Sequence, residues 1–380
     1  MQIVIDNLIR CQRDVGHDVQ LLTRWKSAKT ARDTNLGYPV LALPPNPMFA
    51  PSPFKQVGPR APVEAAIAWH QWRNQFDLFH VHFLYPTGWL AHRILRRLEV
   101  PMVATAHGGD INFDTASGFG YRQYPKHDRR LHELGSRLDT VTAITDSMAE
   151  TLSDLGVKRS AIKRIDNGIE FGRFEQRRNC TTSTRAAMGI PENAVLILSA
   201  GRNQASKGFD IIPKVLAELV NEERDVYWVV AGSGVEDLGE SFADSSLGDR
   251  IILKDSSHFK EAGKFPSDSL IDLFVSADLF AFPSHNEGMG LVALEAMAAG
   301  TPVVGNNVPG IRDTISHEAN GLLVEPKNVT AMAQGLRRLL DDAALRGKCV
   351  DAGLEKAAQS DWSNIAGQYL GLYEELVGNK

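Results

Sequence analysis

The sequence contains only three cysteines in 380 residues, at the widely separated positions 11, 180 and 349. This spacing excludes a disulfide framework and a zinc motif, and it fits a protein of the reducing cytosol. No apolar run approaches the ~20 residues that a membrane span requires, and no signal peptide is visible. The net charge of -5 argues against broad nucleic-acid binding, which needs a basic surface. We therefore expect a cytoplasmic protein that does not bind nucleic acid.

Short apolar stretches alternate with helical stretches in two series along the chain, at 19–165 and at 195–324. Alternation of this kind predicts parallel β-sheets that are covered by helices on both faces. A hydrophobic content of 43% and this length suffice for two domains, each with its own core. We predict an α/β fold with two Rossmann-like domains facing a central cleft: an N-terminal domain at 1–172, a polar linker at 173–190 and a C-terminal domain at 191–360.

The stretch 283–304 predicts the main binding loop. An apolar strand ends at Pro283, a polar loop with Gly288 and Gly290 follows, and a helix then leads to a second apolar strand at 302–304. Ligands of open parallel sheets bind beyond the carboxyl ends of the strands. The two glycines let backbone amides approach such a ligand, and the N-terminus of the helix favours an anion.

Two carboxylates, Glu287 and Glu295, lie in this loop and in the helix after it. A carboxylate accepts two hydrogen bonds at once, which suits the vicinal hydroxyls of a sugar or ribose. Glu287 could instead be a carboxylate that the helix dipole favours, and Glu295 could be a solvated helix residue.

Arg202 and Lys207 follow the predicted strand at 195–198. Two cations five residues apart at the carboxyl edge of a sheet can both face a diphosphate. The alternative is a solvated turn.

His107 and Asp110 follow the predicted strand at 102–105 of the first domain. Because the pKa of histidine lies near neutral pH, His107 could bind a sugar hydroxyl or help to deprotonate an acceptor. The alternative is that His107 closes the turn and Asp110 caps the next helix. His80 and His82 are more readily explained as structural residues than as metal ligands.

Three motifs together resemble family 4 retaining glycosyltransferases of GT-B architecture: E-x7-E followed by A-M-A-x-G-x-P-V-V, G-R-x4-K-G at 201–208, and H-G-G-D at 107–110. The resemblance implies transfer of a sugar from a nucleoside-diphosphate sugar to a glycan, a lipid-linked or a small-molecule acceptor, with no metal and no other cofactor. It also implies that a terminal helix at 361–380 crosses back to the first domain. The catalytic residues that it implies are His107, Asp110, Arg202, Lys207 and Glu287. The donor-binding residues that it implies are Gly232, Gly234, Gly288, Met289, Gly290, Leu291 and Glu295.

The N-terminus departs from this family. Val4, Leu8, Cys11 and Val15 have helical spacing, whereas family members place a strand and a glycine-glycine loop before this helix. We therefore expect both to be missing. Two alternatives to sugar transfer stay open. One is a GT-B sugar-nucleotide epimerase, and the other is a homologue that binds the donor but is inactive.

Two predicted helices of the first domain each carry several basic side chains. Because basic amphipathic helices can bind anionic lipid, these two helices suggest peripheral contact with the inner membrane surface. A solvated basic face is the simpler explanation. The first helix carries Trp89 with Arg93, Arg96 and Arg97, and the second carries Arg129 and Arg130.

Overall fold

The chain forms two α/β units. A computed structural model describes residues 2–24, 29, 36–43, 61–113, 120–178, 184–220, 224–243, 247–259, 261 and 265–378. The first unit comprises Met1–Asp166 and Trp362–Lys380, and the second comprises Asn167–Asp361. The chain therefore leaves the first unit at Asp166, before the predicted linker, and returns to it for the last helix.

Twelve strands and fourteen α-helices occur in the described residues. The strands are β1 (Leu21–Arg24), β2 (Val40–Leu43), β3 (Phe79–His82), β4 (Met102–Thr105), β5 (Val141–Ala143), β6 (Ile162–Arg164), β7 (Val195–Ala200), β8 (Val226–Gly232), β9 (Ile251–Asp255), β10 (Leu279–Phe282), β11 (Val303–Asn306) and β12 (Leu322–Val324). The helices are α1 (Gln2–Asp14), α2 (Ala61–Asn74), α3 (Trp89–Arg97), α4 (Pro125–Gly135), α5 (Asp146–Asp154), α6 (Phe171–Arg178), α7 (Thr184–Ala187), α8 (Ile212–Val220), α9 (Gly239–Ala243), α10 (Asp268–Ser276), α11 (Leu291–Ala298), α12 (Val329–Asp341), α13 (Ala343–Gln359) and α14 (Trp362–Gly378). The strands predicted at 102–105, 195–198 and 302–304 overlap β4, β7 and β11, and the predicted α/β fold is confirmed.

The first unit contains a four-stranded parallel sheet in the order β3-β4-β5-β6 and a parallel pair, β1-β2. Alternate residues of a strand point to opposite faces of the sheet, and two separate apolar clusters result. One lies under α1 and α14: Val4, Leu8, Val103, Ile165, Trp362, Ile365, Ala366, Tyr369 and Leu372. The other lies under α2 and α3: Val63, Ile67, Val81, Leu90, Ala91, Leu95 and Val100. Helices therefore cover both faces of the sheet.

The apolar spacing at the N-terminus correctly predicts α1 but overestimates its buried face. Val4 and Leu8 are buried in α1. Val15 lies beyond the end of the helix and is 65% exposed. The prediction for Val15 was wrong because α1 ends at Asp14, so the helical period does not continue to this residue.

The second unit contains one six-stranded parallel sheet in the order β12-β11-β10-β7-β8-β9. Numbered along this unit, the order is 3-2-1-4-5-6 when it is read from β9, which is the order of a doubly wound dinucleotide-binding fold. The chain winds from β7 to β9 in one direction and from β10 to β12 in the other. The switch point of the sheet therefore lies between β7 and β10.

The segment predicted to be an interdomain linker is helical and packs in the second unit. Phe174 of α6 is fully buried and stacks edge-on against Phe274 of α10. Arg173 of α6 pairs with Asp268 of α10 at 2.7 Å. The linker prediction was wrong for the described residues, because its polar, basic composition reflects ion pairs to α10 and not a solvated chain. Residues 179–183 lie outside the described part of the chain.

Helix starts in both units follow ordinary capping chemistry. The side chains of Thr145, Ser267, Asn328 and Asp342 each accept a backbone N–H from the first turn of α5, α10, α12 and α13. None of the described helices combines the length and the apolar composition that crossing a membrane would require.

Candidate functional site

The loops after β7 and β10 adjoin the switch point of the six-stranded sheet, where open parallel sheets bind ligands. They are residues 201–208 and 283–290. The two loops contact each other directly, because the backbone N–H of His285 donates to the Ser206 carbonyl at 2.7 Å. Both sequence motifs of the second unit thus meet at one edge of the sheet.

Gly208 is required for this contact between the loops. Its φ of +65° lies in the left-handed region, which favours glycine. A Cβ at this position would lie 2.2 Å from the Pro283 carbonyl oxygen and 2.9 Å from Cε1 of His285. A side chain at residue 208 would therefore push the two loops apart.

Lys207 and Glu287 join the two loops through their side chains. The Nζ of Lys207 donates to Oε1 of Glu287, and the two side chains are only 18% and 13% exposed. Removing one partner of such a poorly hydrated pair leaves an uncompensated charge, which is strongly destabilising. The sequence analysis selects Lys207 and Glu287 as site residues, but it does not predict the bond between them.

Arg202 lies at the start of the first loop and has a different environment. Its side chain is exposed, and among the described residues no carboxylate pairs with its guanidinium. The structure therefore brings Lys207 and Glu287 together and leaves Arg202 at the solvent-facing side of the same loop.

The backbone of the loop 283–290 contacts two residues that the sequence analysis did not single out, Thr314 and Gly310. The Thr314 hydroxyl donates to the Met289 carbonyl, and a Cβ on Gly310 would lie 2.4 Å from the Glu287 carbonyl oxygen. Gly290 has a φ of +70° and immediately precedes α11. The sequence Pro309-Gly310 could have indicated this contact, because a glycine in a turn often marks a close backbone approach.

Met289 and Leu291 flank Gly290 at the start of α11, and donor binding by these two residues stays a prediction. Met289 is 4% exposed, and its thioether accepts the backbone N–H of Asn167 at 3.2 Å. Its side chain is therefore a packing element within the second unit. Leu291 is half-buried at the first position of α11, and Gly288 is partly exposed in the loop before it.

Glu295 is a buried carboxylate in α11, not a solvated helix residue. It is 9% exposed, and among the described residues no donor bonds to its carboxylate. Burial raises the pKa of Glu295 from 4.5 to about 8. A buried polar group without a partner is costly, so hydroxyl donors from a ligand would satisfy it.

The loop after β8 contacts the loop after β7. A Cβ on Gly232 would lie 1.8 Å from the Gly201 carbonyl oxygen, so only glycine fits there. The Asn203 amide donates to the Gly234 carbonyl at 2.9 Å, and the Gly234 N–H donates to Asp255. Backbone N–H donors of Ser257 and Gly234 lower the pKa of Asp255 to about 2. Asp255, which the sequence analysis did not select, is therefore a fixed anion at the end of β9.

Asp110 of the first unit does not face a ligand as the catalytic prediction required. It is fully buried, Oδ1 accepts the His107 N–H at 2.9 Å, and Oδ2 accepts the Leu84 N–H at 2.8 Å. Burial raises the pKa of Asp110 to about 6, and the backbone donors oppose this rise. Asp110 therefore positions the loop after β4, which neither sequence alternative described.

His107 is partly exposed, and its ring bonds to another histidine. Its Nε2 lies 2.9 Å from Nδ1 of His82. Burial and the neighbouring His82 hold the pKa of His107 well below 6.5, so the ring is neutral at pH 7. His80 bonds to Tyr373 and Thr105, each at 2.6 Å. Among the described residues, no group of three or more His, Cys, Asp and Glu side chains could hold a metal ion.

Comparisons with known proteins cover both units. A family model described as "Glycosyltransferase Family 4" matches residues 1–173, and one described as "Glycosyl transferases group 1" matches residues 181–356. A D-inositol 3-phosphate glycosyltransferase of Saccharomonospora viridis is 30% identical over 317 residues, which cover 80% of this chain and 70% of that protein. A protein of the same name from Xylanimonas cellulosilytica is 28% identical over 99% of this chain and 92% of its own length.

Solved structures agree in fold. A glycosyltransferase from Rickettsia africae superposes with a TM-score of 0.80 at 18% identity, covering 99% of this chain and 94% of its own. The Anabaena protein HepE, solved in complex with UDP, gives a TM-score of 0.77 at 18% identity, covering 98% and 95%. Glycosyltransferase family models match both halves of the chain, and a relative at 30% identity aligns over 70% of its own length. The chain therefore belongs to the family 4 glycosyltransferases and has their GT-B fold.

Proposed function

We propose that the chain is a retaining glycosyltransferase that transfers a sugar from a nucleoside-diphosphate sugar to an acceptor hydroxyl. The observation that carries this proposal is the Lys207–Glu287 pair at the switch point of the second sheet. It places a cation suited to a diphosphate beside a carboxylate suited to sugar hydroxyls. Both groups are thus available to one activated sugar.

The proposed chemistry is front-face substitution. The bond from the anomeric carbon to the leaving diphosphate breaks, and a bond to the acceptor oxygen forms on the same face. The acceptor proton passes to the leaving phosphate, so no covalent sugar–enzyme intermediate is needed. Arg202 and Lys207 neutralise the negative charge that develops on the diphosphate, and electrostatic stabilisation of this kind often contributes more to catalysis than any other single effect.

The remaining residues of the second unit hold the donor. Backbone amides of Gly288 and Gly290 approach its phosphate and sugar, next to the N-terminus of α11. Glu295 accepts hydrogen bonds from the ribose, and these bonds would satisfy a carboxylate that has no donor among the described residues. We expect the reaction to need no metal ion, because Arg202 and Lys207 supply the positive charge.

The relatives suggest which substrates to test first. HepE has been solved with UDP and with UDP-glucose, so UDP-sugars are the first donors to test. Several curated relatives are named for D-inositol 3-phosphate. A phosphorylated cyclitol is therefore the first small-molecule acceptor to test, and glycan and lipid-linked acceptors follow. His107 is the proposed contact on the acceptor side.

Donor binding can be tested by thermal shift with UDP-glucose and a panel of other nucleotide sugars. We expect one donor to raise the melting temperature of the wild-type chain, because a ligand that binds only the folded state stabilises it. Arg202→Ala and Glu287→Ala should each abolish this rise, since they remove a diphosphate contact and a sugar contact. A donor-induced rise that survives both substitutions would contradict the proposed site.

Product analysis distinguishes a retaining transferase from an epimerase and from a non-catalytic binding protein. A retaining transferase forms a glycoside with the anomeric configuration of the donor, and NMR of the product shows this directly. Release of a changed sugar without any acceptor would indicate an epimerase instead. Donor binding with no turnover across the acceptor panel would indicate a binding protein.

We also propose peripheral contact of the first unit with anionic lipid. The guanidinium of Arg130 in α4 lies 4.2 Å above the Trp89 ring of α3, so the two helices present one basic surface. Arg96 and Arg97 on α3 are exposed on it. Charge reversal of both, Arg96→Glu with Arg97→Glu, should abolish co-sedimentation with phosphatidylglycerol vesicles at low salt. Equal sedimentation of the wild type and this variant would refute the contact.

A further inference from the structure

The hydrogen bond between two imidazoles in the first unit is the starting point. His82 ends β3 and His107 follows β4, and these strands are neighbours in parallel register. Their facing nitrogens, Nδ1 of His82 and Nε2 of His107, lie 2.9 Å apart, with ring centroids 5.2 Å apart. In a hydrogen bond between two neutral rings, one nitrogen carries the proton and the other accepts it. Each ring therefore dictates the tautomer of the other.

Two arrangements of protons satisfy this bond. In the first, Nε2–H of His107 donates to Nδ1 of His82, and both residues are Nε2–H tautomers. In the second, Nδ1–H of His82 donates, and both residues are Nδ1–H tautomers. The Nε2–H form is the intrinsically more stable tautomer of a histidine side chain, and a hydrogen bond to one ring nitrogen fixes which nitrogen carries the proton. We therefore expect the first arrangement, in which Nδ1 of His107 keeps a lone pair.

The surroundings of the pair hold both rings in place. The ring of His80 lies 4.3 Å from that of His82, centroid to centroid, and is itself anchored to Tyr373 and Thr105. On the other side, the buried carboxylate of Asp110 binds the His107 backbone N–H. Burial lowers the pKa of His82 to about 4 and that of His80 well below 6.5. His80 and His82 are therefore both neutral at pH 7.

We propose that His82 is a positioning residue for His107. It accepts the Nε2–H of His107 and thereby presents the Nδ1 lone pair of His107 to a hydroxyl of the sugar substrate. A neutral histidine here has the orienting role that a carboxylate has beside many catalytic histidines, but it leaves His107 weakly basic. This inference rests on the proposed glycosyl transfer only for the identity of the hydroxyl, since the tautomer itself needs no substrate.

The direct test is long-range ¹⁵N–¹H NMR of the full chain with ¹⁵N-labelled histidine, with signals assigned through His107→Gln. In the wild type, we expect a single Nε2–H tautomer for His107 and a pKa below 6.5. His82→Phe keeps a ring against His80 but offers no acceptor, so His107 should become a tautomer mixture. His82→Asn places an amide oxygen near the former Nδ1 and should restore the single tautomer. It also serves as the second variant if His82→Phe does not fold.

His82→Asp gives the sharpest readout, because a carboxylate near an imidazole favours the charged ring. The pKa of His107 should then rise by at least about one unit. His80→Phe is the matched control: it keeps an aromatic ring against His82 and leaves both partners of the His82–His107 bond, so the His107 tautomer should not change. A wild-type Nδ1–H tautomer, or an unchanged pKa in His82→Asp, would overturn the assignment. These readouts are independent of sugar transfer, whereas failure of the donor panel alone would count against the proposed function.

Discussion

Replacing Lys207 with alanine is expected to lower the rate of sugar transfer by roughly 10²- to 10³-fold, the loss typical when one preorganised stabilising group is removed. Two effects combine. The leaving diphosphate loses a cation where its charge develops, and Glu287, which is 13% exposed, loses its partner. The measurement is kcat from the release of nucleoside diphosphate under saturating donor and acceptor.

Two controls make this result specific. Lys214→Ala removes an exposed lysine from α8 in the same unit and should leave kcat unchanged. Lys207→Arg keeps a cation and should retain more activity than Lys207→Ala. Because Lys207 and Glu287 are bonded, their substitutions should also be non-additive. An activity of Lys207→Ala close to that of the wild type would remove the basis for the proposed function.

Replacing Glu295 with glutamine is expected to stabilise the free protein at alkaline pH. Between pH 4.5 and about 8, the folded protein holds a proton on Glu295 that the unfolded chain has lost. The free energy of unfolding therefore falls as the pH rises through this window. At ~1.4 kcal/mol per pKa unit, the loss is on the order of a few kcal/mol. Glutamine cannot ionise, so the variant avoids it.

Chemical denaturation at pH 5 and pH 8.5 measures this effect. The variant should exceed the wild type in free energy of unfolding at pH 8.5, and the difference should nearly vanish at pH 5. Glu355→Gln, at an exposed position of α13, should show no such pH dependence. Under the proposed function Glu295→Gln should also weaken donor binding by roughly 10-fold. The same stability difference at both pH values would show that Glu295 is not a buried, protonated acid.

The sequence predicted the fold and the positions of the site loops because both depend on local patterns. Alternating apolar and helical stretches give the strand sequence, and the carboxyl ends of β7 and β10 follow from it. The 3-2-1-4-5-6 order of the second sheet was not predictable in the same way, because strand neighbours are set by long-range packing. That order explains why Lys207 and Glu287, 80 residues apart, form a bond.

Other errors of the sequence reading arise because composition does not reveal partners. The arginines of α6 resembled a solvated linker, but Arg177 pairs with Asp272 across 95 residues. Asp110 resembled a catalytic acid beside His107, but its oxygens are occupied by backbone donors. The burial of Glu295 could not be predicted either. Because α11 is apolar on nearly all sides, its sequence does not show which side of the helix is buried.

The first unit is assembled from both ends of the chain. Trp362, Ile365 and Tyr369 of α14 lie in the same apolar cluster as Val4 and Leu8 of α1. During synthesis, this face of the sheet lacks the cover of α14 until the whole of Asn167–Asp361 has been translated. The second unit, which is continuous in sequence, can therefore mature first. A nascent chain that ends before α14 would expose an apolar face of the sheet, and this face could bind chaperones or aggregate.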